Sequence, residues 1–556
     1  MRIAPRQWFS RKTLGKDLTA GAVLGVESVP DGLAAGLLAG VNPLAGLYAY
    51  LFGMVGAAFF TSSSFMAVQA TGAMALVVAD ADLQSRADPE RALYTLAMLA
   101  GVAMVIAGLL RVGRLVRFVP TAVMTGFVTA VGVNIVLGQL SNFTGYQAQG
   151  ANRIVKTIDT LVHILQWSIP AVIVGAVTLA IIVALQRTRF SSLGLVAAVI
   201  VGSVCGVLLD LWTSRPVAFL RDVVDVPRGL PAPVLPQIDD VLYLIVPACS
   251  LAFVAIVQGA GVSASIPSAD GHSQPDASRD VIGQGAGNIV AGLFRGMPVG
   301  GSMSASALIV AAGAKTRLAL FVAGGVMALV ILVASDLVAY VAMPALAALL
   351  IVVGIGSIRP GRVYSVIKTG PLQTTVMSVT FALTLLIPLQ FAVLVGVGMG
   401  IVLFVAQESN RVRVREVRIS EAGPMRETEP RPVIPPSEVV ILQPYGSLFF
   451  ASAPTVERQL PTVGRNSRHS VVIIRLRGTD RIGLAHIEVL RRYARLLAES
   501  DSLLKLVVSE PHVLQQIHAA GITDIAESDT YHGDEWVGKT LRRAYSDARE
   551  WVEDNS

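Results

Sequence analysis

The chain has 556 residues, of which 53% are hydrophobic and 15% charged, with a formal net charge of +6. Soluble domains carry roughly 45–50% apolar and about 25% charged residues, so a chain soluble throughout is excluded. The positive excess does not indicate a nucleic-acid partner, because Lys and Arg of a membrane protein collect in loops on one side of the bilayer.

Charge is unevenly placed. Uncharged apolar stretches recur from about Thr19 to Ala406 and then stop, which predicts a transmembrane region over 1–410 and a soluble region after it. Arg2, Arg6, Arg11, Lys12 and Lys16 precede the first apolar run. That run leads into further spans without a cleavage site, so it reads as a membrane helix and not a signal peptide. Apolar segments lie near 18–38, 43–60, 70–80, 93–110, 119–139, 168–186 and 193–213, and again near 240–262, 281–294, 303–313, 318–335, 337–357, 373–388 and 390–406. With about fourteen crossings, the basic groups at the N-terminus, Arg111–Arg117, Arg187–Arg189, Lys315–Arg317, Arg359–Lys368 and Arg411–Arg415 share one face, read as cytoplasmic. Asp80, Asp82, Asp88 and Glu90 fall on the other.

The segments near 70–80 and 303–313 are too short for a hydrocarbon layer about 30 Å thick at about 1.5 Å per residue, and are expected to be half-helices. Thr61, Ser62, Ser63 and Ser64 precede the first; Gly300, Gly301, Ser302 and Ser304 mark the second. Each stands third in a run of seven, the pattern of an inverted repeat whose broken helices form a binding site.

Beyond Ala406, arginines and the prolines Pro424, Pro430, Pro432, Pro435 and Pro436 make 411–436 read as a linker to a small domain over 437–556. Strand-like runs at Val439–Leu442, Ser447–Ala451, Val471–Leu476 and Leu503–Val508 alternate with helical stretches near 485–499, 511–519 and 535–553, which predicts an α/β layer.

Val29-Pro30-Asp31-Gly32-Leu33-Ala34, with Leu38 to Tyr48 after it, resembles the first two helices of sulfate permease (SulP) family transporters. Gly287 to Ser304 is similar to the family's ninth-to-tenth helix signature, and Gly313-Ala314-Lys315-Thr316-Arg317 to the basic turn that follows. The tail resembles a STAS domain. The resemblance implies an α-helical polytopic membrane protein in a seven-plus-seven inverted repeat, with core and gate domains and a C-terminal cytoplasmic STAS domain. It implies secondary active transport or exchange of small anions of the sulfate, bicarbonate or dicarboxylate class by an elevator-type movement, in the cell (inner) membrane as a homodimer.

The resemblance places the anion between the third and tenth helices and against the middle of the first. Physics favours the same place, because a helix N-terminus offers unpaired N–H groups and roughly half a positive charge. The substrate-binding candidates are Asp31, Gln69, Ala70, Thr71, Gln258, Gly301, Ser302, Met303 and Ser304. Each polar cluster taken alone also fits a helix cap or a small-residue packing contact. Asp31, one turn beyond Glu27, stands where relatives commonly carry Gln or Glu, and an intramembrane carboxylate is costly without a role. Asp31 is therefore the coupling candidate, with Glu27 more structural or vestibular, and the coupling ion lies between H+ and Na+.

Two positions depart from the family pattern. Gln258 occupies the place where many relatives have a titratable carboxylate, and Ala305 the place where many have Arg. In the tail, Arg481 and Ile482 replace the phosphorylatable serine of related domains. Cys205 and Cys249 read as small buried apolar side chains, and the seven histidines show no metal spacing. Gly283, Gly285 and Gly287 read as close helix packing and not as a dinucleotide loop. No cofactor, metal site, catalytic triad or P-loop is expected. The alternatives are a nucleobase-type permease of the same fold, against which neutral Gln258 counts, and a membrane-anchored STAS sensor without transport.

Overall fold

The computed structural model describes residues 12–112, 119–150, 152–186, 188, 191–213, 217–265, 275–419, 425–476, 482–519, 530–532 and 539–555. Among these, every expected apolar segment lies on a helix. In chain order they are α1 (Leu14–Leu38), α2 (Pro43–Ala58), α3 (Gly72–Ala79), α4 (Pro89–Leu109), α5 (Thr121–Thr144), α6 (Ile169–Gln186) and α7 (Ser191–Trp212). The second run is α8 (Val241–Ser265), α9 (Ala277–Leu293), α10 (Met303–Ala311), α11 (Leu318–Val333), α12 (Met343–Ser357), α13 (Pro371–Leu386) and α14 (Leu389–Asn410). Two short strands, β1 (Val68–Gln69) and β2 (Gly300–Gly301), lead into α3 and α10. The chain forms two compact units, 1–400 and 401–556.

The packing repeats itself with exchanged partners. Where α1 packs on α11 and α10, its counterpart α8 packs on α4 and α3; where α5 packs on α13, its counterpart α12 packs on α6. Seven is odd, so the second run crosses in the opposite sense, as the inverted repeat requires. Helices α1–α4 with α8–α11 make the core, and α5–α7 with α12–α14 the gate.

Close approach of helices in the core depends on glycine. A Cβ at Gly46 would stand 2.0 Å from the Gly32 carbonyl oxygen, so α2 can lie against α1 only without one. Gly285 likewise rests on Gly101, where a Cβ would come 2.7 Å from the carbonyl oxygen, which bears out the packing reading of that glycine run.

The helix ends are tied by charge. Asp17 at the start of α1 accepts hydrogen bonds from the Lys315 and Thr316 amides (2.7 and 2.9 Å) in the turn after α10. Asp240, ahead of α8, pairs with Arg86 in the turn after α3 at 2.9 Å, the same arrangement in the other repeat. Fully buried Arg317 donates to the carbonyls of Ala58, Thr61 and Ser62 at the C-terminal end of α2, where a cation meets the negative end of the helix dipole. Asp280 takes the Ser62 and Ser63 amides and hydroxyls. Ser62 and Ser63 thus brace the core and do not lead into the half-helix.

Neither cysteine is buried: Cys205 is half-exposed and Cys249 exposed. Cys249 continues the exposed line of Leu242, Ile245 and Val246 along α8, a face suited to lipid. This corrects the expectation of buried thiols.

The second unit is a six-stranded sheet in the order β4-β3-β5-β6-β7-β8. Its strands are β3 (Arg413–Arg418), β4 (Arg426–Thr428), β5 (Val439–Tyr445), β6 (Val471–Leu476), β7 (Leu503–Val508) and β8 (Thr530–His532). Strands β5 to β8 are parallel, and β3 runs antiparallel to β5. The helices are α15 (Ala453–Gln459), α16 (Leu484–Ala498), α17 (Pro511–Ala519) and α18 (Lys539–Asn555). Residues of α15, α16 and α17 join the core on one face of the sheet, and residues of α18 the core on the other.

Two expectations are corrected here. The stretch 411–436 is not only a linker: alternation buries Val412 and Val414 on one face of the sheet and Val417 on the other, while Arg413 and Arg418 are exposed, and β3 forms. Ser447–Ala451 is not a strand, because Gly446 at φ +108° breaks the chain direction and Ser452 caps a turn onto the Ser447 and Phe449 carbonyls. The turn at 477–481, including Arg481, lies outside the described residues.

His486 on α16 is buried, its Nε2 3.2 Å from Ser452 Oγ, and burial lowers its pKa from 6.5 to about 4. A histidine depressed in the folded state destabilises the fold only where the unfolded chain takes up a proton that the folded chain refuses. Its contribution is therefore intact above about pH 6.5 and is lost progressively towards pH 4. Protection factors of the β5 and β6 amides, which are corrected for the intrinsic pH dependence of exchange, should fall over that window in the wild type and less so in His486→Gln.

Candidate functional site

Half-helices α3 and α10 span eight and nine residues, about 12–14 Å each. Each begins where a two-residue strand ends, and those strands pair antiparallel, Val68 opposite Gly301 and Gln69 opposite Gly300. The pairing sets the two N-termini head to head. Thr71 caps α3 by accepting from the Met74 amide, and Ser302 caps α10 by accepting from the Ala305 amide.

The irregular backbone around them is satisfied by buried side chains. Asn288 donates to the Val299 carbonyl (2.7 Å) and accepts from its amide (2.8 Å). Gln284, one turn earlier on α9, accepts from the Gly301 amide at 2.8 Å. Ser306 accepts from the Ala67 amide, and the Ser302 amide donates to the Ala67 carbonyl. After these bonds, the amides of Gly72, Ala73, Met303 and Ser304 have no hydrogen bond among the described residues. Those four N–H groups, with two positive dipole ends, are what the site offers an anion.

The sequence candidates come together here. Gln69 donates to Ser28 of α1 at 2.8 Å, and the Thr71 hydroxyl donates to Gln258 of α8 at 2.8 Å. The Ala70 carbonyl and Asp31 Oδ2 lie 3.0 and 2.8 Å from the Tyr50 hydroxyl. Gly301 and Ser302 are buried, Met303 is half-buried and Ser304 exposed. Glu27, half-buried, is one turn from Asp31 and has no hydrogen bond or ion pair among the described residues.

Tyr50, Ser28, Gln284, Asn288 and Ser306 were not singled out by sequence. Gln284 and Asn288, one turn apart in an apolar segment, carried a usable signal, since buried amides in membrane helices need a specific partner. Tyr50 carried none: it sits in a π-turn, Ala49–Gly53, that shifts the helix register and aims its hydroxyl at Asp31.

The two repeats are not equivalent in access. Helix α3 is buried from Ala73 to Val78, whereas α10 leaves Ser304, Ala307 and Ala311 exposed. Beyond α3, Asp80 binds Arg153 at 2.7 Å and the Leu389 amide at 3.0 Å, tying the core to two gate segments. The two half-helices thus differ: α3 is enclosed and tied down beyond Asp80, whereas α10 presents one exposed face along its length.

Residues 14–380 match the profile of the Sulfate permease family. The chain is 29% identical over 405 residues to a probable sulfate transporter 4.2 of Arabidopsis thaliana, covering 71% of this chain and 59% of that protein. It is 27% identical to the bicarbonate transporter BicA of Picosynechococcus, over 81% of each. A solved structure of murine Slc26a9, described as an anion transporter in the inward-facing state, superposes with a TM-score of 0.83 at 18% identity, covering 98% of this chain and 93% of that one. At that identity the likeness concerns the fold.

Removing either cap should weaken its half-helix. Thr71→Val and Ser302→Ala are each expected to cost about 1 kcal/mol, and thermal unfolding of the detergent-purified protein should show two separate reductions in melting temperature.

Proposed function

We propose, from the premise that the chain belongs to the sulfate permease family, that it is a secondary active transporter or exchanger of a small anion held between the N-termini of α3 and α10. Members of the family are membrane anion transporters and not enzymes; sulfate, bicarbonate and small dicarboxylates are the substrate classes proposed here. The observation that carries the reading is the head-to-head pair of half-helices with four unspent amides. An anion there neutralises two converging dipole ends.

Movement follows from the division into core and gate. The core would carry the anion past the gate, and the Asp80 contacts to Arg153 and Leu389 would break on opening the other side. With Lys315 cytoplasmic, the conformation is inward-open. The C-terminal α/β unit is proposed as a STAS domain on the same side, and the assembly as a homodimer in the cell membrane.

Asp31 supplies a route for proton coupling. The Tyr50 hydroxyl has one proton to give. With Asp31 ionised, that proton goes to the carboxylate; with Asp31 protonated, the acid donates to Tyr50 and Tyr50 turns to the Ala70 carbonyl beside α3. Ionised Asp31 and Glu27 repel an anion nearby, and a proton on Asp31 removes part of that repulsion. Substrate and proton would then bind together, which favours H+ over Na+.

Uptake of radiolabelled anion into proteoliposomes tests the reading, with sulfate, bicarbonate, chloride, oxalate, fumarate and succinate as competitors, with and without sodium and a pH gradient. Accumulation is expected; binding without accumulation would make the chain a sensor. Uptake should rise as external pH falls, and Asp31→Asn should flatten that profile. A profile unchanged in Asp31→Asn would remove Asp31 from coupling.

A further inference from the structure

The helices that frame the site are poor in cations. Neither α3, α8 nor α10 contains a Lys, Arg or His, and the basic residue of α1, Lys16, lies in its first turn, well before Asp31. The core therefore presents an anion with partial charges and two nearby carboxylates. A full positive charge must come from elsewhere.

The gate offers one. Arg359 stands in extended conformation (φ −109°, ψ 89°) between the end of α12 and the helix Pro360–Thr369. Its Nη2 reaches 3.7 Å from the sulfur of Met303, the first residue of half-helix α10. Arg359 has no carboxylate partner among the described residues. Its basic neighbour Lys368 lies over the Tyr364 ring at 4.6 Å, and Arg362 is exposed without such a contact. Among these three cations, Arg359 alone contacts the half-helix. Its planar, permanently charged fork suits an oxyanion.

We propose that Arg359, carried by the gate, is a specificity-determining residue that reads the charge of the anion at the mouth of half-helix α10. It meets the anion while the site is open along α10 and separates from it when the core moves, so the ion pair belongs to one end of the cycle. A divalent anion gains more from it than a monovalent one, because the Coulomb energy scales with charge. This inference rests on the transport reading above.

The test is uptake kinetics of radiolabelled sulfate and bicarbonate in proteoliposomes, for the wild type, Arg359→Gln, Arg359→Lys and Arg362→Gln, each first checked for monodisperse elution. Loss of a charge-assisted contact predicts a KM about ten- to a hundredfold higher for sulfate in Arg359→Gln. A smaller rise is expected for bicarbonate, with kcat changed less than KM. Arg359→Lys should recover part of the sulfate KM, and Arg362→Gln should match the wild type. An unchanged sulfate KM in Arg359→Gln, an equal rise for both anions, or the same loss in Arg362→Gln would overturn the proposal. Wild-type protein that accumulates neither anion would overturn this proposal, and wild-type protein that accumulates none of the anions of the competition screen would defeat the transport reading as well.

Discussion

The pairing of β1 with β2 is the constraint on which the rest of the structure depends. Non-helical backbone at membrane depth persists only where its polar groups are satisfied by protein or line a polar cavity. Here Asn288, Gln284 and Ser306 take up the Val299, Gly301 and Ala67 groups, and the two strands satisfy one another. The four amides left over all face the junction of the half-helices. Two positive dipole ends aimed at each other repel, so the junction is stabilised by whatever negative guest enters it. The same geometry that makes the core costly to build gives it its affinity.

The rest of the core keeps that junction rigid. Gly46 lets α2 lie against α1, and the π-turn in α2 brings Tyr50 within reach of both Asp31 and the Ala70 carbonyl. At the helix ends, Asp17 and Asp240 hold the turns that follow the half-helices of the opposite repeat. Arg317 and Asp280 clamp the chain after α2 from two sides. Asp17, Asp280 and Arg317 are buried charges with several hydrogen bonds each, the condition under which burial of charge is tolerated; Asp240 has the Arg86 contact alone, and its second oxygen is buried without a partner. A core braced in this way is suited to move as one body in the proposed cycle, of which the asymmetry between buried α3 and exposed α10 would mark one end.

Much of the architecture was legible because lipid imposes a strict rule on sequence. Hydropathy located all fourteen segments, since apolar length is what a bilayer demands, and the two short ones betrayed the half-helices. Positions 69–71 and 301–304 could be named because the resemblance places the anion at the third and tenth helices and each short apolar run begins there, which puts a helix N-terminus at those residues. The partners of those residues were less visible. Nothing local reveals that Gln258 meets Thr71 across 187 positions, or that Arg359 reaches Met303. In the tail, proline and arginine concealed β3, where the alternation of Val412 and Val414 with arginines was the stronger signal. Ser62 and Ser63 misled in the other direction, since their partners Asp280 and Arg317 lie in the second repeat.

The placement of charge separates binding from release. Alternating access needs a ligand that stabilises the states of the cycle differently, and a fixed cation on the core would follow the anion through the whole movement. It would tighten binding equally at both ends and favour neither. On the proposed cycle, amide dipoles on the core would hold the anion throughout, but modestly. A guanidinium on the gate would add its attraction at one end only, and carboxylates on α1 would subtract from it according to their protonation. Affinity would then be set by three contributions on two bodies, and displacement of the core would change one of them while a proton would change another.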